Sequence, residues 1–247
     1  MGTRDSQPDA ADADYDGFAA VYAAENEKSL FNAYYNRPEL VRLAGDVSGL
    51  RVLDAGCGSG PLMAALRDKG AAVSGFDLSG AMIDIAREKL GDDADLRVAD
   101  LAAPLPYAAG EFDVVVASLA LHYVQDWAPA LTEVRRVLRP QGRLIVSIIH
   151  PAIYAIVYPD ADYFALTKYS EDYTFNGQTV WMTYWHRPLS DVINAFVSAG
   201  FDIRTVTEPS PAADTPPELL PNAEGRPFIC FLFFELAATG SGPTDPR

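Results

Sequence analysis

The chain of 247 residues carries 34 acidic against 19 basic side chains, a formal charge of −15. Nucleic acids and anionic membrane surfaces are bound chiefly through Lys and Arg clusters, so this balance argues against both as partners. The length suffices for one large α/β domain with a full core. The two cysteines, Cys57 and Cys230, show neither a paired nor a zinc spacing, and no metal is expected. With no secretory leader and no apolar run of bilayer length, the expected setting is the cytoplasm. The oligomeric state, monomer or homodimer, stays open.

In chain order, residues 1–14 read as a polar, disordered tail. From Tyr15 to Gly45 the pattern is helical and aromatic, with Phe18, Tyr22, Phe31, Tyr34 and Tyr35. Asn36-Arg-Pro38 interrupts it, and a second helix starts at the proline. So many aromatics ahead of the first strand suggest a helical lid. Val52 and Leu53 then lead through Asp54 into glycines at positions 56, 58 and 60. The apolar spacing of residues 62–66 follows, which together predicts strand, tight turn and helix. A dinucleotide turn would need Gly or Ala where Pro61 stands, and Asp54 would repel a pyrophosphate. The acidic turn suits a cationic or zwitterionic ligand.

Residues 71–76 predict a second strand, with Asp77 at its end. Asp77 follows Gly56 by about the 20 residues at which α/β nucleotide-binding folds place the acid for the ribose hydroxyls. Ser79 competes for the cap of the next helix, 81–90, which Gly91 closes. Strands are expected at 96–99, at 110–117 and, after a helix over 127–138, at 143–149. The continuous valines of the 110–117 strand fit the middle of a parallel sheet. Residues 152–187 form an aromatic insertion with a hairpin turn at Asn176-Gly177. A helix over 189–198, a strand over 201–207, a Pro-rich loop over 209–227 and a last strand over 228–235 complete a domain of residues 15–236, with 237–247 as a disordered tail.

The Asp54 to Gly60 turn resembles motif I of the class I S-adenosylmethionine-dependent methyltransferases, small-molecule, UbiE-like type. Asp77, the pair Asp100-Leu101 and the P-x-x-x-x-x-F-D-x-V phrase of Pro106 to Val115 match at compatible spacings. Ser118-Leu-Ala-Leu121 departs from the [DN]-P-P-[YF] of DNA and glutamine-amide enzymes, which removes those activities. The resemblance implies an α/β, Rossmann-like doubly wound sheet of seven strands, order 3-2-1-4-5-7-6. It would be mostly parallel with its last strand antiparallel, with the N-terminal lid and the insertion after strand five. S-Adenosylmethionine is the implied cofactor and S-adenosylhomocysteine its product. Tyr22, Tyr34, Asp54, Gly56, Cys57, Gly58, Gly60, Asp77, Leu78, Met82, Asp100, Leu101 and Ser118 are the residues expected to hold it. Asp100 would accept from the adenine amino group.

The implied reaction is methylation of a small acceptor at oxygen, nitrogen or carbon, such as a phenol, quinone, amino sugar or other natural-product intermediate. The alternatives are non-methylating chemistry on the same cofactor and a non-catalytic accessory subunit. A general base would help with a hydroxyl or ammonium acceptor. His122 and His150, after strands four and five, are expected on the cofactor's rim as that base. Tyr154, Trp181, Trp185 and His186 are the candidate acceptor-binding residues of the insertion.

Overall fold

A computed structural model describes residues 15–175, 177–221 and 228–239. Seven strands form one sheet in the order β3-β2-β1-β4-β5-β9-β8. They are β1 (Arg51–Ala55), β2 (Ala72–Asp77), β3 (Asp95–Val98), β4 (Phe112–Ser118), β5 (Leu138–Ile149), β8 (Phe201–Thr207) and β9 (Phe231–Ala238). Neighbours among β1–β5 run parallel, and only β9 runs antiparallel, against both β5 and β8. Leaving out a separate hairpin of β6 (Thr167–Phe175) and β7 (Gln178–His186), this is the 3-2-1-4-5-7-6 order expected from the sequence.

The valine run of β4 shows why the sheet is covered on both faces. Successive side chains point to opposite sides, so Val114 and Val116 join the core beneath α2 (Arg37–Ala44) and α3 (Pro61–Asp68). Val115 and Ala117 join the core of α5 (Trp127–Val137) and α7 (Leu189–Ser198). A fifth covering helix, α4 (Gly80–Leu90), packs on α3 through Ile83, Ala86 and Leu90. Strand order reverses between β1 and β4, and the carboxyl ends there open into the crevice where such sheets bind ligands.

Elsewhere the chain departs from expectation. The N-terminal segment breaks after α1 (Ala19–Asn26) and not at Asn36-Arg-Pro38. Ser29 caps a π-wound turn, Leu30–Asn36, that runs directly into α2. Pro38 lacks an N–H and would leave the carbonyl of Tyr34 without its helical donor. The Ala212 N–H supplies one instead, at 2.6 Å. After β5 a helix not foreseen in the sequence, α6 (Pro151–Val157), begins with His150 as its cap. The β6–β7 hairpin pairs Phe175 with Gln178, leaving a two-residue connection in which Gly177 has φ +81°; Asn176 lies outside the described residues. The last strand sits three residues later than expected and continues to Ala238, where Phe201 pairs with it. Both proposed tails, 1–14 and most of 237–247, and residues 222–227 of the Pro-rich loop lie outside the described residues.

Phe196 of α7 is fully buried between Trp127 and Phe234, with ring centroids at 5.6 and 5.1 Å. Phe196→Ala should therefore cost about 3–5 kcal/mol of stability. Urea unfolding followed by far-UV circular dichroism is the measurement; a loss below 1 kcal/mol would mean that this face is not a packed core.

Candidate active site

The glycine turn is built for close approach. Gly56 has φ +79°, and a Cβ there would stand 2.8 Å from that of Ala120 in the loop after β4. Glycine at this position thus lets the β4 loop press against the β1 turn. Gly60, also left-handed, faces Leu90 of α4 at 2.9 Å and does not line the cavity described below. Leu119, in that same β4 loop, holds φ +52°, with its N–H donating to Ser147. A non-glycine residue in this region is uncommon, and such positions cluster at functional sites.

Two carboxyl groups lie under this turn. Asp54 is 1% exposed, and neither of its oxygens has a partner among the described residues. Burial, and then the neighbouring Asp77, push its pKa up to about 8. Asp77 accepts from the Gly58 N–H at 2.8 Å and the Ser79 N–H at 2.9 Å. Burial still holds its pKa above the ordinary carboxylate value, against those backbone donors. Ser79 caps α4 as expected, its hydroxyl accepting from Met82 N–H. Asp77 thus joins the glycine turn to the residue that caps α4.

A cavity of about 560 Å³ opens here, within the range of roughly 300–1,000 Å³ usual for small-molecule sites. Of the residues expected at the cofactor, Tyr22, Asp54, Gly56, Cys57, Gly58 and Asp77 line it. Leu78, Met82, Asp100, Leu101 and Ser118 line it too, but Tyr34 does not. The opposite wall holds residues that sequence reasoning missed: Asn26, Asn32, Asn36 and Arg37 from the N-terminal segment, and Lys168 and Thr183 from the hairpin. The available signal was the recurrence of asparagine in an otherwise aromatic stretch. Tyr123 and Gln125 of the β4 loop complete that side. Among the described residues no three metal-ligating side chains gather.

His122 and His150 were expected on this rim, and they do not line the large cavity. Together with His186 they line a second, small cavity of about 20 Å³. His122 is buried against Tyr123 and Tyr184, and burial lowers its pKa to about 3, so it is neutral at ordinary pH. His150 caps α6, its Nδ1 accepting from Ala152 N–H at 3.1 Å while Nε2 meets Glu208 at 2.8 Å. His186 stacks on Tyr154 at 4.0 Å and contacts the Tyr163 carbonyl at 2.7 Å. Tyr154 belongs to that second cavity as well. Of the four insertion candidates only Trp185 reaches the large cavity; Trp181 is 44% exposed.

Known proteins fit this geometry. Residues 53–146, from β1 into β5, match the methyltransferase-domain family. A crystal structure of an S-adenosylmethionine-dependent methyltransferase from Mesorhizobium loti superposes with a TM-score of 0.64 at 28% identity. That match covers 86% of this chain and 99% of the other. The chain is thus similar to the class I S-adenosylmethionine-dependent methyltransferases, by the family match over residues 53–146 and by fold over most of its length. Among curated relatives, a demethylmenaquinone methyltransferase of Clavibacter sepedonicus is 34% identical over 57% of this chain and 58% of its own. A ubiquinone biosynthesis O-methyltransferase of Xanthomonas euvesicatoria pv. vesicatoria is 34% identical over 52% of this chain and 56% of its own. The chain thus spans little more than half the length of these relatives. The [4+2]-cyclase SpnF shares the fold, at 18% identity and a TM-score of 0.57.

Because His150 caps a helix and stays outside the large cavity, His150→Ala should cost about 1 kcal/mol of stability. It should leave S-adenosylhomocysteine affinity unchanged. Thermal unfolding and calorimetry on the same preparation check this, and a selective loss of affinity would return His150 to the site.

Proposed function

We propose that this single-domain protein transfers the methyl group of S-adenosylmethionine to a small-molecule acceptor in the cytoplasm. The observation that carries the proposal is the buried Asp54 carboxyl, unpartnered beside a glycine turn at the strand-order switch. Burying such a group is costly unless something compensates it, and a ligand ammonium does so. Asp54 would hold the amino-acid end of the cofactor over Gly56 and Gly58. Asp77 would accept from the ribose hydroxyls with the lone pairs its backbone donors leave. Asp100, one of whose oxygens accepts from Ala102 N–H at 2.8 Å, has the other for the adenine amino group. Leu78, Met82 and Leu101 would supply apolar walls to the base, and Tyr22 and Ser118 would close the methyl side. When bound, the cofactor supplies an electrophilic methyl on its sulfonium. With no histidine in the cavity, the chain's contribution is holding the acceptor in register and excluding water. The names of the quinone-pathway relatives support a phenolic or quinol acceptor. The SpnF likeness makes non-methylating chemistry the reading to be tested against. Mass spectrometry of a phenol, quinol and amine panel after incubation with cofactor separates the two: products heavier by a methyl group support transfer, and rearrangement without mass gain overturns it.

Two further outcomes follow from the carboxyl pair. Asp77→Ala should weaken S-adenosylhomocysteine binding by about 1–3 kcal/mol, with NAD far weaker than either cofactor form for the wild type. Unchanged affinity in a folded variant would reduce Asp77 to a turn former.

Asp54 has a folded-state pKa near 8 against an ordinary 3.8. The empty protein therefore loses stability as pH rises from about 4 to about 8, where the unfolded carboxyl ionises and the folded one resists. A bound ammonium favours the ionised form, so binding below pH 8 should release a proton and tighten as pH rises toward 8. Calorimetry at pH 6.5 in phosphate and in Tris checks this. Equal binding enthalpies in the two buffers would dismiss Asp54 as the ammonium's partner.

A further inference from the structure

The far wall of the cavity holds a second buried polar group with an unmet bond. Asn36 is 2% exposed. Its Nδ2 donates to Ser118 Oγ at 2.8 Å, while its Oδ1 has no partner among the described residues. It closes the π-wound turn, in which the Arg37 N–H reaches back to the Asn32 carbonyl. Single π turns of this kind occur frequently at functional sites. Most buried amide oxygens find a donor, and the residue that carries this one lines the cavity.

Location narrows what that donor belongs to. Ser118 ends β4, two residues beyond Val116, whose register partner is Asp54. The Asn36–Ser118 pair thus borders the half of the cavity assigned above to the cofactor, from the other half. Beyond it the walls are Tyr22, Tyr123, Thr183 and Trp185, three aromatic rings and a threonine. Ser118 has spent an oxygen lone pair on Asn36 and keeps its own O–H to donate. The pair therefore offers one acceptor and one donor to a group that must itself carry a hydrogen.

We propose that Asn36, tethered by Ser118, binds the O–H or N–H of the methyl acceptor and selects a small aromatic alcohol or amine over its hydrogen-free analogue. This deepens the methyltransferase reading and rests on it. Asn36 is not a base, since a neutral amide oxygen does not hold a proton at ordinary pH. It fixes the direction of the acceptor's hydrogen, so that a lone pair on the same heteroatom is turned away from the amide.

The test is fluorescence titration of the S-adenosylhomocysteine-loaded protein with 2-naphthol and with its methyl ether, two flat probes of which the second carries a methyl group in place of the hydroxyl hydrogen. The wild type should prefer the naphthol by about tenfold. Asn36→Leu should erase that preference with S-adenosylhomocysteine affinity unchanged, and Ser118→Ala should reduce it part way. Asn36→Asp, equal in size and still an acceptor but unable to donate to Ser118, should keep part of it, which separates loss of the bond from loss of folding. Equal wild-type affinity for both probes, a preference that survives Asn36→Leu, or binding of neither probe overturns the proposal. If the wild type binds no S-adenosylhomocysteine, the methyltransferase reading falls and this inference with it. Normal cofactor-product binding with an unaltered preference removes this inference alone.

Discussion

The structure depends on keeping two carboxyl groups close together and away from water at the point where strand order reverses. Asp54 brings no hydrogen-bond partner with it, and Asp77 brings only backbone amides. Left to themselves these groups oppose folding, since neither desolvation nor mutual repulsion favours a charged pair. The surrounding sheet supplies the offset: β1 is flanked by β2 and β4, and its residues 52–55 are almost wholly buried. The scaffold is thus stable enough to hold an unfavourable local arrangement, the usual relation between a rigid α/β core and the loops that carry chemistry.

Around that point the walls come from separate parts of the chain, each held by its own local cause. The β4 loop can lie on the glycine turn because Gly56 has no side chain. The N-terminal segment reaches across because Asp16 accepts from the Ser79 hydroxyl at 2.5 Å and from the Ala81 N–H at 3.2 Å, adding an acid at the start of α4. The hairpin contributes by alternation. Met182, Tyr184 and His186 face inward and are buried, whereas Thr183 and Trp185 lie on the other face, toward the cavity.

Much of this was legible in the sequence because backbone needs leave marks on residue type. Glycines at alternate positions, an acid at a fixed interval and a run of valines each answer to one structural demand, and the sheet order came with the family resemblance that these motifs carry. Side-chain direction left no such mark. His122 and Tyr123 are neighbours after the same strand, yet a short 3-10 turn sends the tyrosine to the cavity and the histidine into the core. Trp181 and Trp185 share a face of β7, but four residues of rise carry Trp181 past the cavity. The asparagines of the N-terminal segment escaped notice because a short polar residue on an aromatic helix reads as surface. What turned Asn36 inward is the π winding ahead of Pro38, which no periodicity of apolar residues announces.

That winding also divides the N-terminal segment into two parts with different mechanical footing. From Leu30 onward it is fastened by buried Leu40 and Leu43 and by the Ala212 amide on the Tyr34 carbonyl, none of which responds to dissolved ions. Ahead of Leu30, Glu27 is bound to Lys89 and lies 3.5 Å from Arg37, partly exposed contacts that weaken as added electrolyte shortens the screening length. Ionic strength therefore acts on one end of this cover and spares the other, so that salt loosens its α1 side, Asn26 included, while leaving Asn32 and Asn36 in place.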